Sequence, residues 1–135
     1  MTDLALVTAG KVHVVESIIQ MTLPFGESLA VGDAVRIDTN GKWTGANATT
    51  TTENRIYGIL VSKDPAGAVG TAVRKGVLDG FALTAMAYNA AVLLSDTDKT
   101  LADAAGTVST TVGRVIPATA TITGTAYDKL LFVDL

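Results

Sequence analysis

The chain of 135 residues has no cysteine. That absence excludes disulfide scaffolds, thiolate metal sites and cysteine nucleophiles. His13 is the one histidine, so a metal centre built on several imidazoles is excluded by count. No Gly-x-Ser-x-Gly elbow, no Gly-x-Gly-x-x-Gly and no Gly-x-x-x-x-Gly-Lys-Ser/Thr occurs, so a serine hydrolase site or a nucleotide cofactor has no support. Basic residues are scattered, with Arg74-Lys75 the only adjacent pair. A phosphate-binding surface needs clustered Lys/Arg, so no nucleic-acid partner is expected. Aromatics make up 5% of the chain, too few for a base-stacking platform. Long apolar runs are missing too: stretches such as Ile56 to Val61 fall far below the ~18 residues of a membrane span. Met1-Thr2-Asp3-Leu4 is acidic where a signal peptide would be basic, so neither a membrane partner nor ordinary secretion is expected.

Charge is scarce. Charged residues reach 17%, against about 25% in an ordinary globular domain. Ten Lys/Arg against thirteen Asp/Glu leave a net charge of −3. Twenty Ala, twenty Thr and thirteen Gly supply much of the rest, and the mean hydropathy is +0.40. A small chain with so little charge has trouble covering its own surface. We read the shortage as surface hidden in an assembly, because interface cores are depleted of charge.

What is present is a succession of short β-type runs broken by turn chemistry. No segment sustains helical periodicity over three turns, and 81–87 is expected to form one turn at most. Lys11 to Val15 and Ser17 to Leu23 are rich in Val and Ile, and Pro24-Phe25-Gly26 ends the second run. Ala34 to Asp38 alternates apolar and polar, and Asn40-Gly41 predicts a type I′ hairpin returning through Trp43. The four threonines within Gly45 to Asn54 read as a loop. Further strands are expected at Ile56 to Ser62, Gly70 to Leu78, Ala91 to Ser95, Thr111 to Ile116 and Leu130 to Asp134, with a hairpin at Asp79-Gly80. This spacing predicts an all-β fold, a small antiparallel barrel or sandwich of one domain over 16–135. Residues 1–15, with no evident hairpin partner, are expected to form an extended N-terminal arm.

The chain also echoes itself. Ala30 to Ile37 aligns with Ala87 to Leu94 at an offset of 57, and Tyr57 to Val61 with Val112 to Ile116. Two related β-halves folded together would produce this.

Candidate chemistry is thin. Asp96-Thr97-Asp98, with Asp103 beyond, lacks the Gly and the closing Glu of a calcium loop and reads as a solvated turn. Asp33 and Asp38 sit at a turn and a strand end, where water satisfies them. No catalytic residue, metal or cofactor is expected. Interface residues are expected among Val12, His13, Val14, Ile18, Ile19 and Trp43.

The order of motifs carries a resemblance. Leu29-Ala30-Val31-Gly32-Asp33-Ala34-Val35 comes first, then Asp64-Pro65-Ala66-Gly67-Ala68-Val69-Gly70, Thr71-Ala72-Val73 and Lys75-Gly76-Val77-Leu78. Val112-Gly113-Arg114-Val115, a Thr/Ala/Gly stretch and a terminal strand close the chain. Residues 16–135 resemble the capsid decoration, or cement, proteins of tailed bacteriophages. The resemblance implies a β-tulip-like domain, homotrimers on the outer surface of the head, contacts to the major capsid protein and no catalysis. A carbohydrate-binding fibre or tail-associated β-domain, with Trp43 as its platform, is the alternative reading.

Overall fold

A computed structural model describes residues 2–118 and 129–135. The Thr/Ala/Gly stretch of the resemblance falls largely outside these, as does Met1 of the expected arm. The fold is all-β: ten strands share one antiparallel hydrogen-bonded sheet, and the described residues contain no helix. The strands are β1 (Asp3–Leu4), β2 (His13–Pro24), β3 (Ala34–Ile37), β4 (Trp43–Gly45), β5 (Gly58–Lys63), β6 (Val69–Asp79), β7 (Ala91–Leu94), β8 (Leu101–Ala102), β9 (Thr111–Pro117) and β10 (Lys129–Asp134).

β6 organises the sheet. On one side it carries β2 along nearly its whole length. Its other side is shared: residues 70–73 pair with β5, and residues 75–78 pair with β10. Two leaves therefore branch from one strand, β5-β3-β4 and β10-β9-β7-β8-β1. The strand ladder does not close into a barrel. Backbone bonds outside the strands tie the far ends of the leaves instead: Ala34 N–H to Lys99 O at 3.0 Å, Lys99 N–H to Ala46 O at 2.9 Å and Ala48 N–H to Ser95 O at 2.8 Å.

The sequence echo is structural. β4-β3-β5-β6 and β8-β7-β9-β10 repeat one strand order. Gly32 N–H donates to Leu60 O at 2.7 Å and Leu60 N–H to Asp33 O at 2.9 Å. Their counterparts are Asn89 N–H to Val115 O at 2.7 Å and Val115 N–H to Ala90 O at 3.0 Å. Gly32 and Asn89 both take positive φ, +100° and +66°. Gly58 and Gly113 match as well. A Cβ on Gly58 would lie 2.1 Å from Val73 O, and one on Gly113 would lie 1.8 Å from Phe132 O. Each glycine lets a strand approach its neighbour more closely than a side chain permits.

Most apolar burial lies between the leaves, in a core that includes Ile59, Val73, Leu78, Val92, Leu94, Leu101, Val112, Val115 and Leu131. A second, smaller core forms on the outer face of β3, β5 and β6 around Trp43, with Leu29, Val35, Leu60 and Ala72.

Three local expectations are corrected. The Asn40-Gly41 turn is not type I′, because only Gly41 takes positive φ (+76°). Gly41 N–H donates to Asp38 O and Asp38 N–H to Lys42 O, the bonding of a type I turn with a glycine bulge. Asp38 Oδ1 accepts from Asn40 N–H and Lys42 N–H, which favours this wider loop. Asp79-Gly80 does not close a hairpin: β6 pairs with β2, β5 and β10, and the chain departs through Gly80 at φ +127°. The described part of the N-terminal segment does not project as an arm. β1 pairs with β8, Leu6 bridges to Phe81, and Leu4 and Leu6 pack on the main core. Two leucines at alternate positions find apolar neighbours there, which the expectation of a partnerless arm overlooked.

Candidate docking surface

β2 carries four of the eight exposed large hydrophobic residues among the described residues, more than any other strand. It is a twelve-residue edge strand whose outer side pairs with nothing among the described residues. It sits close to β6 because β6 is small-sided there: a Cβ on Gly76 would lie 2.3 Å from Glu16 O. Val14 anchors its start on the main core, and Leu23 anchors its end on the Trp43 core. Between the anchors the register slips. Val14 faces Leu78 and Glu16 faces Val77, so Val15 is an extra residue; Ser17 faces Gly76 and Ile19 faces Lys75, so Ile18 is another. Such bulges re-aim side chains. Val15, Ile18, Ile19 and Met21 remain 53%, 55%, 46% and 38% exposed. Glu16 is the only acid in the strand, and neither a lysine nor an internal proline interrupts it. Edge strands are ordinarily blunted by such residues; this one is bulged but apolar.

Of the residues expected at an interface, Ile18 and Ile19 are exposed on β2, and His13 is exposed at its start, opposite Asp79. Val12 and Val14 are half-buried against the core. Trp43 does not belong to this surface. It is wholly buried, its Nε1 donates to Gly70 O at 2.8 Å, and its ring packs against Tyr57 at 5.2 Å. Leu23, Phe25 and Leu29 complete its surroundings, so it offers no face to a sugar. Val15 and Met21 belong to the exposed set and were missed. Their only sequence signal was membership of a β-branched run, whose unbulged alternation would have turned Val15 differently.

An open groove of about 540 Å³ lies beside the start of β2, lined by Val7, Lys11, His13, Val61 and Asp79 among others. Near the far end of the leaves is a charged cluster. Lys99 Nζ meets Glu27 Oε1 at 2.9 Å and also donates to Ser28 O. Burial raises the Glu27 pKa, but the Gly45 N–H, the Thr44 hydroxyl and Lys99 outweigh it and hold the carboxyl at about 2. Nearby Asp33 is shifted upward, chiefly by burial, against the Ala30 N–H bond and Lys99. These groups staple the 25–29 segment to β4 and the 98–99 turn. Asp3 is shifted downward by hydrogen bonds from Ser95 and Thr97, and so latches β1 in place.

Among the described residues no group of three His, Cys, Asp or Glu side chains could hold a metal ion. No helix among the described residues is long and apolar enough to cross a membrane. No protein family, curated protein or solved structure matches the chain.

Proposed function

We propose that the chain is a virion structural protein: a capsid decoration protein of a tailed bacteriophage, acting as a homotrimer on the outer surface of the head. The observation that carries this reading is β2, an edge strand whose outer side pairs with nothing among the described residues and whose apolar side chains are bare. The low charge of the chain and the ordered motifs of its middle and end support it.

The energetics favour many copies over one. Fully burying an aliphatic side chain is worth about 1.5–3 kcal/mol. Val15, Ile18, Ile19 and Met21 are each about half covered already, so covering the rest yields roughly 3–6 kcal/mol. Association costs an estimated 4–15 kcal/mol. One β2 contact therefore at best breaks even and over most of that range falls short, whereas three carried on one trimer make each later contact effectively intramolecular. A trimer bridging several major capsid protein subunits binds the assembled lattice and not loose subunits, and so stabilises the lattice by mass action.

The test is co-sedimentation of purified protein with expanded heads that lack it. Saturable binding to heads, with none to unassembled major capsid protein, is the expected result. Failure to bind heads, together with turnover of a small molecule, would overturn the reading.

A further inference from the structure

We propose that Asn40 is a site of spontaneous deamidation and that Asp38 sets its rate by holding the turn closed. The inference is independent of the virion reading: it concerns the turn between β3 and β4, whatever the chain docks on.

Deamidation of an asparagine uses the backbone nitrogen of the next residue as nucleophile. That nitrogen, having lost its proton to solvent, attacks the side-chain carbonyl carbon Cγ. The Cγ–Nδ2 bond breaks, ammonia leaves, and a succinimide ring closes. Water then opens the ring at either carbonyl and leaves aspartate or isoaspartate. The step needs an unhindered following residue, a side-chain amide that nothing holds, and a backbone able to leave its hydrogen bonds.

The chain has four asparagines, and Asn40 alone meets the first two needs. Only Asn40 precedes a glycine. Gly41 is exposed, and a Cβ built on it would meet nothing within 4 Å, so there is room for the ring. Asn40 is exposed as well, and its side chain makes no hydrogen bond among the described residues. The other three are held. Asn47 is buried and its Nδ2 donates to Asp98 Oδ1 at 3.2 Å. Asn54 shares a hydrogen bond with Thr110 Oγ1 at 3.1 Å, and Asn89 Oδ1 accepts from Arg114 at 3.3 Å.

Asp38 governs the third need. Gly41 N–H, which supplies the attacking nitrogen, donates to Asp38 O at 3.1 Å. Asp38 Oδ1 accepts from Asn40 N–H at 2.8 Å and from Lys42 N–H at 3.0 Å, so it pins the backbone on both sides of that nitrogen. Attack therefore waits for the turn to open. Residues 39–42 are all exposed and belong to neither core, so opening uncovers no packed surface. The bonds to the Asp38 carboxylate are what oppose it. Losing them is expected to speed the reaction about tenfold, the equivalent of about 1.4 kcal/mol, or one net hydrogen bond. The product sets a second carboxylate beside Asp38. In the isoaspartate form the backbone runs through Cγ and is longer by one atom, which disrupts the two turn bonds. Each modified copy also gains one negative charge.

The full chain is incubated in mildly alkaline buffer and sampled over time by peptide-mapping mass spectrometry, with Asn40→Asp as the standard for the aspartate product. Aspartate and isoaspartate are expected at position 40, and none at Asn47, Asn54 or Asn89. Asp38→Ala, its fold checked by thermal melting, is expected to react about tenfold faster than the parent. In urea, where the turn is gone, the two rates are expected to converge. Gly41→Ala is expected to lose most of the signal. An unmodified Asn40 in the folded parent, or earlier modification of another asparagine, overturns the site. Equal rates in folded parent and Asp38→Ala overturn the role of Asp38, as does a gap that persists in urea. Should Asp38→Ala fail to fold, Asp38→Asn keeps an acceptor without the charge; it is expected to react faster than the parent, and an equal rate overturns the same role.

Discussion

Ile18 is the sharpest place to separate docking from folding. It is an inserted residue of a bulge, faces no β6 partner and is 55% exposed. Ile18→Asp therefore removes little that holds the free protein together. Surface changes of this kind stay within about 0.5 kcal/mol, a melting shift of roughly 2 °C for a domain of this size. At a docked surface the same change loses the remaining burial of the isoleucine, about 1–1.5 kcal/mol. It also strands a carboxylate away from water without a partner, which adds at least about 1–3 kcal/mol. Per contact the loss is about 2–4 kcal/mol, or roughly 30- to 1000-fold in affinity, and a trimer multiplies it. The assay is occupancy: copies per head by quantitative gel after co-sedimentation, with thermal melts of the free variant as control. Near-empty heads with an almost unchanged melt are expected. Full occupancy refutes the assignment of β2 to docking, and a melt lowered by ten degrees or more shows that Ile18 is structural.

Three further predictions concern the fold. Trp43→Ala empties the centre of the second core and is expected to cost about 3–5 kcal/mol by denaturant titration; a variant of undiminished stability would contradict its burial. Gly113→Ala is expected to fail to fold or to lose several kcal/mol, because its Cβ would lie 1.8 Å from Phe132 O, whereas Gly67→Ala meets only the backbone strain of φ +71° and costs about 1–2 kcal/mol; equal melting temperatures for the two would refute the close-approach argument. Glu27 has a folded-state pKa of about 2, below its ordinary value near 4.5, so its contribution is full above pH 4.5 and is lost as pH falls through 2. With its side chain 37% exposed, solvent screening limits that contribution to about 1 kcal/mol. Asp33, shifted the other way, offsets part of it, and Glu27→Gln is expected to flatten the loss of melting temperature between pH 5 and pH 2. An acid limb as steep in Glu27→Gln as in the parent would contradict this.

Much of the fold was legible because turn residues and alternation are local. β3, β5, β6, β7, β9 and β10 lie where Val- and Ile-rich runs meet Gly, Pro or Asp. The duplication was legible as an offset of 57 because glycines and small residues recur where the backbone needs them. β1 and β8 were not legible: each is two residues long and is defined by the strands it meets, β1 by β8, and β8 by β1 and β7. The two runs before Pro24 read as separate strands, whereas bulges at Val15 and Ile18 carry one strand through both. A bulge depends on the partner strand and leaves little trace in the bulged one. For the same reason the exposed set on β2 was half found: Ile18 and Ile19 were named, and Val15 and Met21 were not. Trp43 read as a core or rim anchor beside a hairpin, and the structure makes it core. Its burial depends on Leu23, Phe25 and Tyr57, which arrive from other elements.

The most direct measurement is a cryo-electron microscopy reconstruction of phage heads carrying this protein. The account predicts trimeric density on the outer surface at three-fold and quasi-three-fold positions, with the strand from His13 to Pro24 against major capsid protein. Density confined to the tail or the head interior, or a head-bound copy with that strand turned toward solvent, would contradict it.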